Sequence, residues 1–90
     1  MTVRDFEKWL WQNEKVKIFV RAPLSTNIRI ENPDAPMFSS ANSVRQFKQM
    51  RLNTMLENLD YVIFTATMQE APDDLKLLDL RKGYREHNII

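Results

Sequence analysis

Lys15-Val16-Lys17-Ile18-Phe19-Val20-Arg21 sets Val16, Ile18 and Val20 on one side of an extended chain and Lys17, Phe19 and Arg21 on the other, the period of a half-buried strand. Upstream the period lengthens. Thr2 stands three residues before Asp5 in a capping-box-like start, and Val3, Phe6 and Leu10 recur at helical spacing, so residues 3 to about 12 read as an amphipathic helix stopping at Asn13. Downstream, Ala22-Pro23-Leu24-Ser25-Thr26-Asn27 is turn chemistry, and Ile28 and Ile30 around Arg29 resume the alternation, which predicts a hairpin. Residues 32–40 hold two of the four prolines and no period, and read as a surface connector.

Ser43 and Gln46 form a second capping-box pair ahead of a stretch free of Pro and Gly, giving a helix from about 44 to 58. Its apolar residues do not share one face. Val44 and Phe47 centre one stripe, and Leu52, Met55, Leu56 and Leu59 centre another about 100° away. Either the helix breaks near Arg51–Asn53, or its first half turns Phe47 and Met50 away from the core. Tyr61 to Thr67 is β-branched and aromatic, as a central strand would be. Leu75 to Lys82 follows Pro72-Asp73-Asp74 and closes on Arg81-Lys82-Gly83, which suits a third helix, with a fourth strand as the alternative. Asp73 and Asp74 read as its starting acids, and Tyr84 to Ile90 as a loosely held end.

These elements fit a single α+β domain over 1–90, in the order α, β, β, α, β, then α or β. Two or three helices would pack on a small antiparallel sheet of three or four strands. Val3, Phe6, Leu10, Val16, Ile18, Val20, Ile28, Ile30, Leu52, Met55, Leu56, Leu59, Val62, Phe64 and Leu78 are the expected core. A chain 43% hydrophobic and 28% charged is built to fold, and 90 residues leave no room for a second core.

Composition removes several chemistries. Without Cys there is no disulfide or thiolate metal site, and one His (His87) excludes multi-histidine centres. A single Gly excludes the glycine-rich phosphate loops. Adjacent carboxylates such as Asp73 and Asp74 diverge, and His87 beside Glu86 near the chain end lacks a rigid setting, so no enzyme, cofactor or metal is expected. The opening Arg4, Asp5, Glu7 and Lys8 stand where a signal peptide would begin its apolar run, and no apolar stretch reaches membrane-span length, so a cytoplasmic protein with no membrane partner is expected. Thirteen Lys and Arg against twelve Asp and Glu leave +1, which nominates no partner by bulk charge.

Three surfaces remain as candidates. Trp9 and Trp11 diverge by about 200° on the first helix, so both indoles cannot face one core; one is a partner contact, unless Trp11 folds over the sheet edge. Arg45, Lys48 and Arg51 form a basic row along the second helix beside Phe47 and Met50, either a solvated face or the polar rim of a protein interface. Lys15, Lys17, Phe19 and Arg21 on the hairpin's outer face, with Arg29 on its second strand and Tyr61 turned the same way, have the ingredients that stack bases and hold phosphates. The bland alternative is a solvated sheet face.

The opening Thr2-Val3-Arg4-Asp5-Phe6 through Val16-Lys17-Ile18-Phe19-Val20, with Asp60-Tyr61-Val62-Ile63 later, resembles small accessory proteins encoded by prophages and integrative elements of Gram-positive bacteria. That resemblance implies a non-enzymatic inhibitor, of the anti-CRISPR kind, occluding a surface of a host defence complex. The residues point first to a protein-interaction module that binds another protein or complex, with a homodimer as a further use of the same surplus apolar surface. The alternative is a small nucleic-acid-associated regulator working through Lys17, Phe19, Arg21 and Arg29.

Overall fold

Helix α1 (Val3–Glu14) lays Val3, Phe6, Leu10 and Glu14 into the interior and ends one residue beyond Asn13, where Lys15 turns left-handed at φ 53°. This computed structural model describes residues 1–30 and 33–88. Strand β1 (Lys17–Val20) follows at once and pairs antiparallel with β2 (Tyr61–Phe64), Lys17 opposite Phe64 and Val20 opposite Tyr61. Between them lies α2, built from Val44–Phe47, Lys48–Leu52 and Asn53–Met55 running on as one rod. Helix α3 (Leu77–Glu86) closes the chain. The fold is α+β with three helices and, among the described residues, a two-stranded antiparallel sheet. No helix among them is long and apolar enough to cross a membrane.

The expected hairpin does not form, because the start of α1 takes its second arm. Thr2 bridges Asn27, the Val3 and Arg4 N–H groups donate to the carbonyls of Thr26 and Leu24 at 2.9 and 3.4 Å, and Ile28 exchanges hydrogen bonds with Met1. A helix start leaves its first N–H groups without partners, and an extended segment alongside supplies carbonyls for them. The same device recurs at the other two helices. Ser43 bridges Lys76; Val44 and Arg45 donate to Leu75 and Asp73 at 2.8 and 2.9 Å, while Leu77 and Leu78 donate to Asn42 and Ser40 at 2.9 and 3.1 Å. Helices α2 and α3 thus satisfy each other's first turns. In all three cases the acceptors lie one and three residues before the bridging partner, and the segment carrying them is bent by its own turn, Thr26 to Pro23, Leu75 to Pro72 and Asn42 to Ser39.

Side-chain caps complete two of these starts. Thr2 Oγ1 accepts from the Asp5 N–H, and Ser43 with Gln46 forms the full reciprocal box. Asp73 and Asp74 are not the starting acids of α3. Its N-cap is Lys76, and Asp79 is the acid of the first turn.

The residues expected to form a helix or strand from 75 onward form the helix, which runs through Gly83 and carries Tyr84 into the core. The end expected to be loose is therefore held as far as Glu86; Ile89 and Ile90 lie outside the described residues, as does Asn32 at the head of the connector. Leu78 is 55% exposed because the phase of α3 buries Leu77, Leu80, Arg81 and Tyr84. Ile30, Met55, Leu59 and Phe64 are half-buried at the margin, while Phe38, Val44, Phe47 and Ile63 join the core instead.

Candidate functional site

Glu14, in the last turn of α1, is where the 38–40 segment, α2 and α3 meet. Its carboxylate is almost fully enclosed: Oε1 accepts from the Phe38 N–H at 2.7 Å and Oε2 from Arg51 Nη1 at 2.8 Å. Arg81, on α3, donates from Nε to the Glu14 carbonyl at 3.0 Å and from Nη1 to the Phe38 carbonyl and Ser40 Oγ, both at 2.8 Å. Burial lowers the Arg81 pKa, and the charges of Glu14 and Tyr84 oppose that effect. Arg81 Nη2 lies 3.6 Å from Glu14 Oε1 and is buried without a hydrogen-bond partner, so the cluster is ion-paired but not fully hydrogen-bonded, and its disruption leaves uncompensated charge. Sequence reading missed it, although the signal was present. Glu14 lies four residues after Leu10 and Arg81 four after Leu77, opposite charges on two apolar stripes.

Trp11 is committed within the molecule. Its indole meets Tyr84 edge-on with ring centroids 5.4 Å apart, and the Lys17 and Lys15 ammonium groups lie 4.1 and 5.6 Å from its ring centre. Beneath it, the Tyr84 hydroxyl accepts from the Lys17 N–H at 3.1 Å and donates to the Phe64 carbonyl, so a side chain stands in for a rung of the β1–β2 ladder. Burial is the main reason the Tyr84 pKa is pushed up to about 12.

Trp9 has the other fate. It leans on Phe6, with ring centroids 6.0 Å apart, and lines an open groove of about 850 Å³ between α1, the 26–30 segment and α2. Ile28, Ile30, Met50, Met55 and Leu59 line the same groove, and Met50 is 64% exposed. Arg51 forms part of the wall, with its guanidinium turned inward to Glu14 and to the Pro36 carbonyl at 2.9 Å, 5.2 Å from the Phe38 ring centre.

Of the residues expected to meet a partner, Trp9, Met50 and Arg51 are therefore brought together, and the rest are not. Phe47 is fully buried against Phe38 and presents nothing outward. Lys48 bonds Asp73 at 2.8 Å, and this hydrogen bond and charge hold the Asp73 carboxyl below its ordinary range. Arg45 remains exposed, so the basic row is only partly a free charge surface.

The nucleic-acid set is dispersed. Phe19 is 50% exposed on the outer sheet face, Lys17 lies over Trp11, and Arg21 pairs with Asp60 at 3.1 Å. Arg29 lies in the groove-lining segment instead of on a strand beside β1, and Tyr61, opposite Val20, points to the other sheet face from Phe19. His87 is exposed, with Nδ1 2.9 Å from the Gly83 carbonyl. Among the described residues no three His, Asp or Glu side chains group as metal ligands would. The chain matches no protein-family model, no curated protein and no solved structure.

Proposed function

We infer that this chain is a non-enzymatic binding module that docks an apolar segment of another protein in the groove between α1 and α2. The observation that carries this reading is the pairing of a partly buried indole, Trp9, with a largely exposed methionine, Met50, along one open groove. Tryptophan supplies much contact area for few rotors, and methionine adapts its shape to what it meets. In this reading the module acts in the cytoplasm by occupying a surface, as its resemblance to prophage and integrative-element accessory proteins would imply.

Selection of a displayed random-peptide library against the chain, followed by fluorescence anisotropy on the selected peptide, tests this. Trp9→Ala and Met50→Glu are each expected to weaken binding by about tenfold or more, the scale of an interface hot spot. Failure to select a peptide, or peptides that bind both variants as tightly as the original chain, would remove the reading. Oligonucleotide binding that falls steeply with salt and is lost in Lys17→Glu would favour the sheet face instead.

A further inference from the structure

Arg4, Lys8, Trp11 and Lys15 follow one another at steps of four, three and four, so three cations and one indole run along a single stripe of α1 and its C-cap. Arg4, Lys8 and Lys15 are exposed. Lys17 joins them from β1, its ammonium 4.1 Å from the Trp11 ring centre, with that of Lys15 at 5.6 Å. At a rise of 1.5 Å per residue the row from Arg4 to Lys15 is about 16 Å long. Its residues are not among those that line the groove beside Trp9.

Among the described residues none of these four cations has a carboxylate partner, unlike the row on α2, where Asp73 holds Lys48 and Glu14 holds Arg51. The acids of α1 are engaged elsewhere. Glu7 Oε2 accepts from the Val20 N–H at 3.0 Å, Glu14 is enclosed with Arg51 and Arg81, and Asp5, although three residues before Lys8, forms no ion pair with it. Like charges on one helix face repel, and Lys15 adds a backbone cost, since its φ of 53° is the left-handed cap conformation that glycine or asparagine adopts with less strain. Folding alone favours an acid somewhere in the row and a glycine at position 15. The apolar face of α1, Val3, Phe6 and Leu10, is fully buried, which leaves the helix nothing to insert into a lipid surface. A straight row of unpaired cations fits a chain with one negative charge at every repeat, and the indole, packed on Tyr84 and covered by Lys17, is not free to stack a base.

We propose that Arg4, Lys8, Lys15 and Lys17 bind the phosphate backbone of nucleic acid without reading its sequence. This site is independent of peptide docking in the groove. Lys17 is common to this row and to the sheet-face set, so the other members of each separate the two. The test is anisotropy of a labelled single strand of about 16 nucleotides, titrated with the full chain across a salt series. The slope of log affinity against log salt is expected at about −2.8, or about −0.7 for each phosphate contact. Lys8→Gln and Lys15→Gly should each flatten it by about 0.7, while Lys15→Gly keeps or raises the thermal midpoint because glycine suits the left-handed cap. Phe19→Ala and Arg29→Gln should leave the slope unchanged, and strands of different sequence should bind alike. Absence of binding at about 50 mM salt would overturn the proposal. So would a slope that ignores Lys8→Gln and Lys15→Gly, a slope that responds to Phe19→Ala or Arg29→Gln in their place, a preference of about tenfold or more for one sequence, or poly-glutamate that competes as well as the oligonucleotide.

Discussion

Trp9 and Trp11 stand two residues apart on one helix and meet opposite surroundings. On the Trp11 flank the aromatic groups have internal partners: the indole has Tyr84 and two lysines, and the Tyr84 hydroxyl completes the sheet. On the Trp9 flank the indole leans on Phe6 and then opens onto a groove. A small domain has too few elements to cover both sides of a helix rich in aromatics. Here α3 covers one side, and the groove between α1 and α2 leaves the other open.

Glu14 joins the two flanks, holding Arg51 of the groove wall and Arg81 of the closed side, so its loss should have the largest effect. Glu14→Ala is expected to lower unfolding free energy by about 3–5 kcal/mol, read from urea denaturation, because two guanidiniums lose their shared carboxylate. A loss below about 1 kcal/mol would mean that solvent reaches the cluster.

Tyr84→Phe bears on the closed flank alone. It leaves the Lys17 N–H and the Phe64 carbonyl without their partner and should cost about 1–3 kcal/mol, or a fall in midpoint of several degrees by circular dichroism. The same hydroxyl sets an alkaline limit. Folded Tyr84 and Tyr61 keep their protons to about pH 12, burial being the larger cause in both and the Asp73 charge adding to it at Tyr61, whereas the unfolded chain releases them near the ordinary value of 10.0. Between those values the unfolded state binds fewer protons, so stability falls as pH rises. A titration of the thermal midpoint should show that slope, and Tyr84→Phe should reduce it.

Gly83→Ala is the smallest change and has the opposite sign. Gly83 lies inside α3, and a Cβ there would meet nothing within 4 Å. Relief of the unfolded chain's freedom should raise stability by up to about 1 kcal/mol, tightening the closed flank without touching the groove. A lowered midpoint would place Gly83 under a constraint unlike that of a helix interior.

What the sequence made legible was whatever depends on near neighbours. The alternation around Ile18, the stripe Val3-Phe6-Leu10 and the Ser43–Gln46 box each describe a local preference, and each element stands where that preference puts it. The partner of β1 was not legible, since Ile28-Arg29-Ile30 alternates like a strand whether it pairs with β1 or is drawn to Met1 and Thr2. Recruitment by a helix start is a long-range choice. The out-of-phase stripes of α2 were visible, but the bond from the Asn53 N–H back five residues to the Lys48 carbonyl, which reconciles them, depends on Phe47 and Leu52 both finding the core. At the candidate site, Trp9, Met50 and Arg51 were named and converge, whereas Phe47 was named for exposure and is buried. Tyr84, placed in a loose end, holds the sheet together instead.

The contrast between the two indoles is tested most directly by measuring Trp9→Ala and Trp11→Ala side by side for thermal midpoint and for affinity to the selected peptide. Trp11→Ala should show the larger drop in midpoint while still binding the peptide below that temperature, and Trp9→Ala should stay closer to the original midpoint while losing the peptide. Binding that survives Trp9→Ala but vanishes with Trp11→Ala, or a reversed order of midpoints, would contradict the assignment of one flank to the fold and the other to a partner.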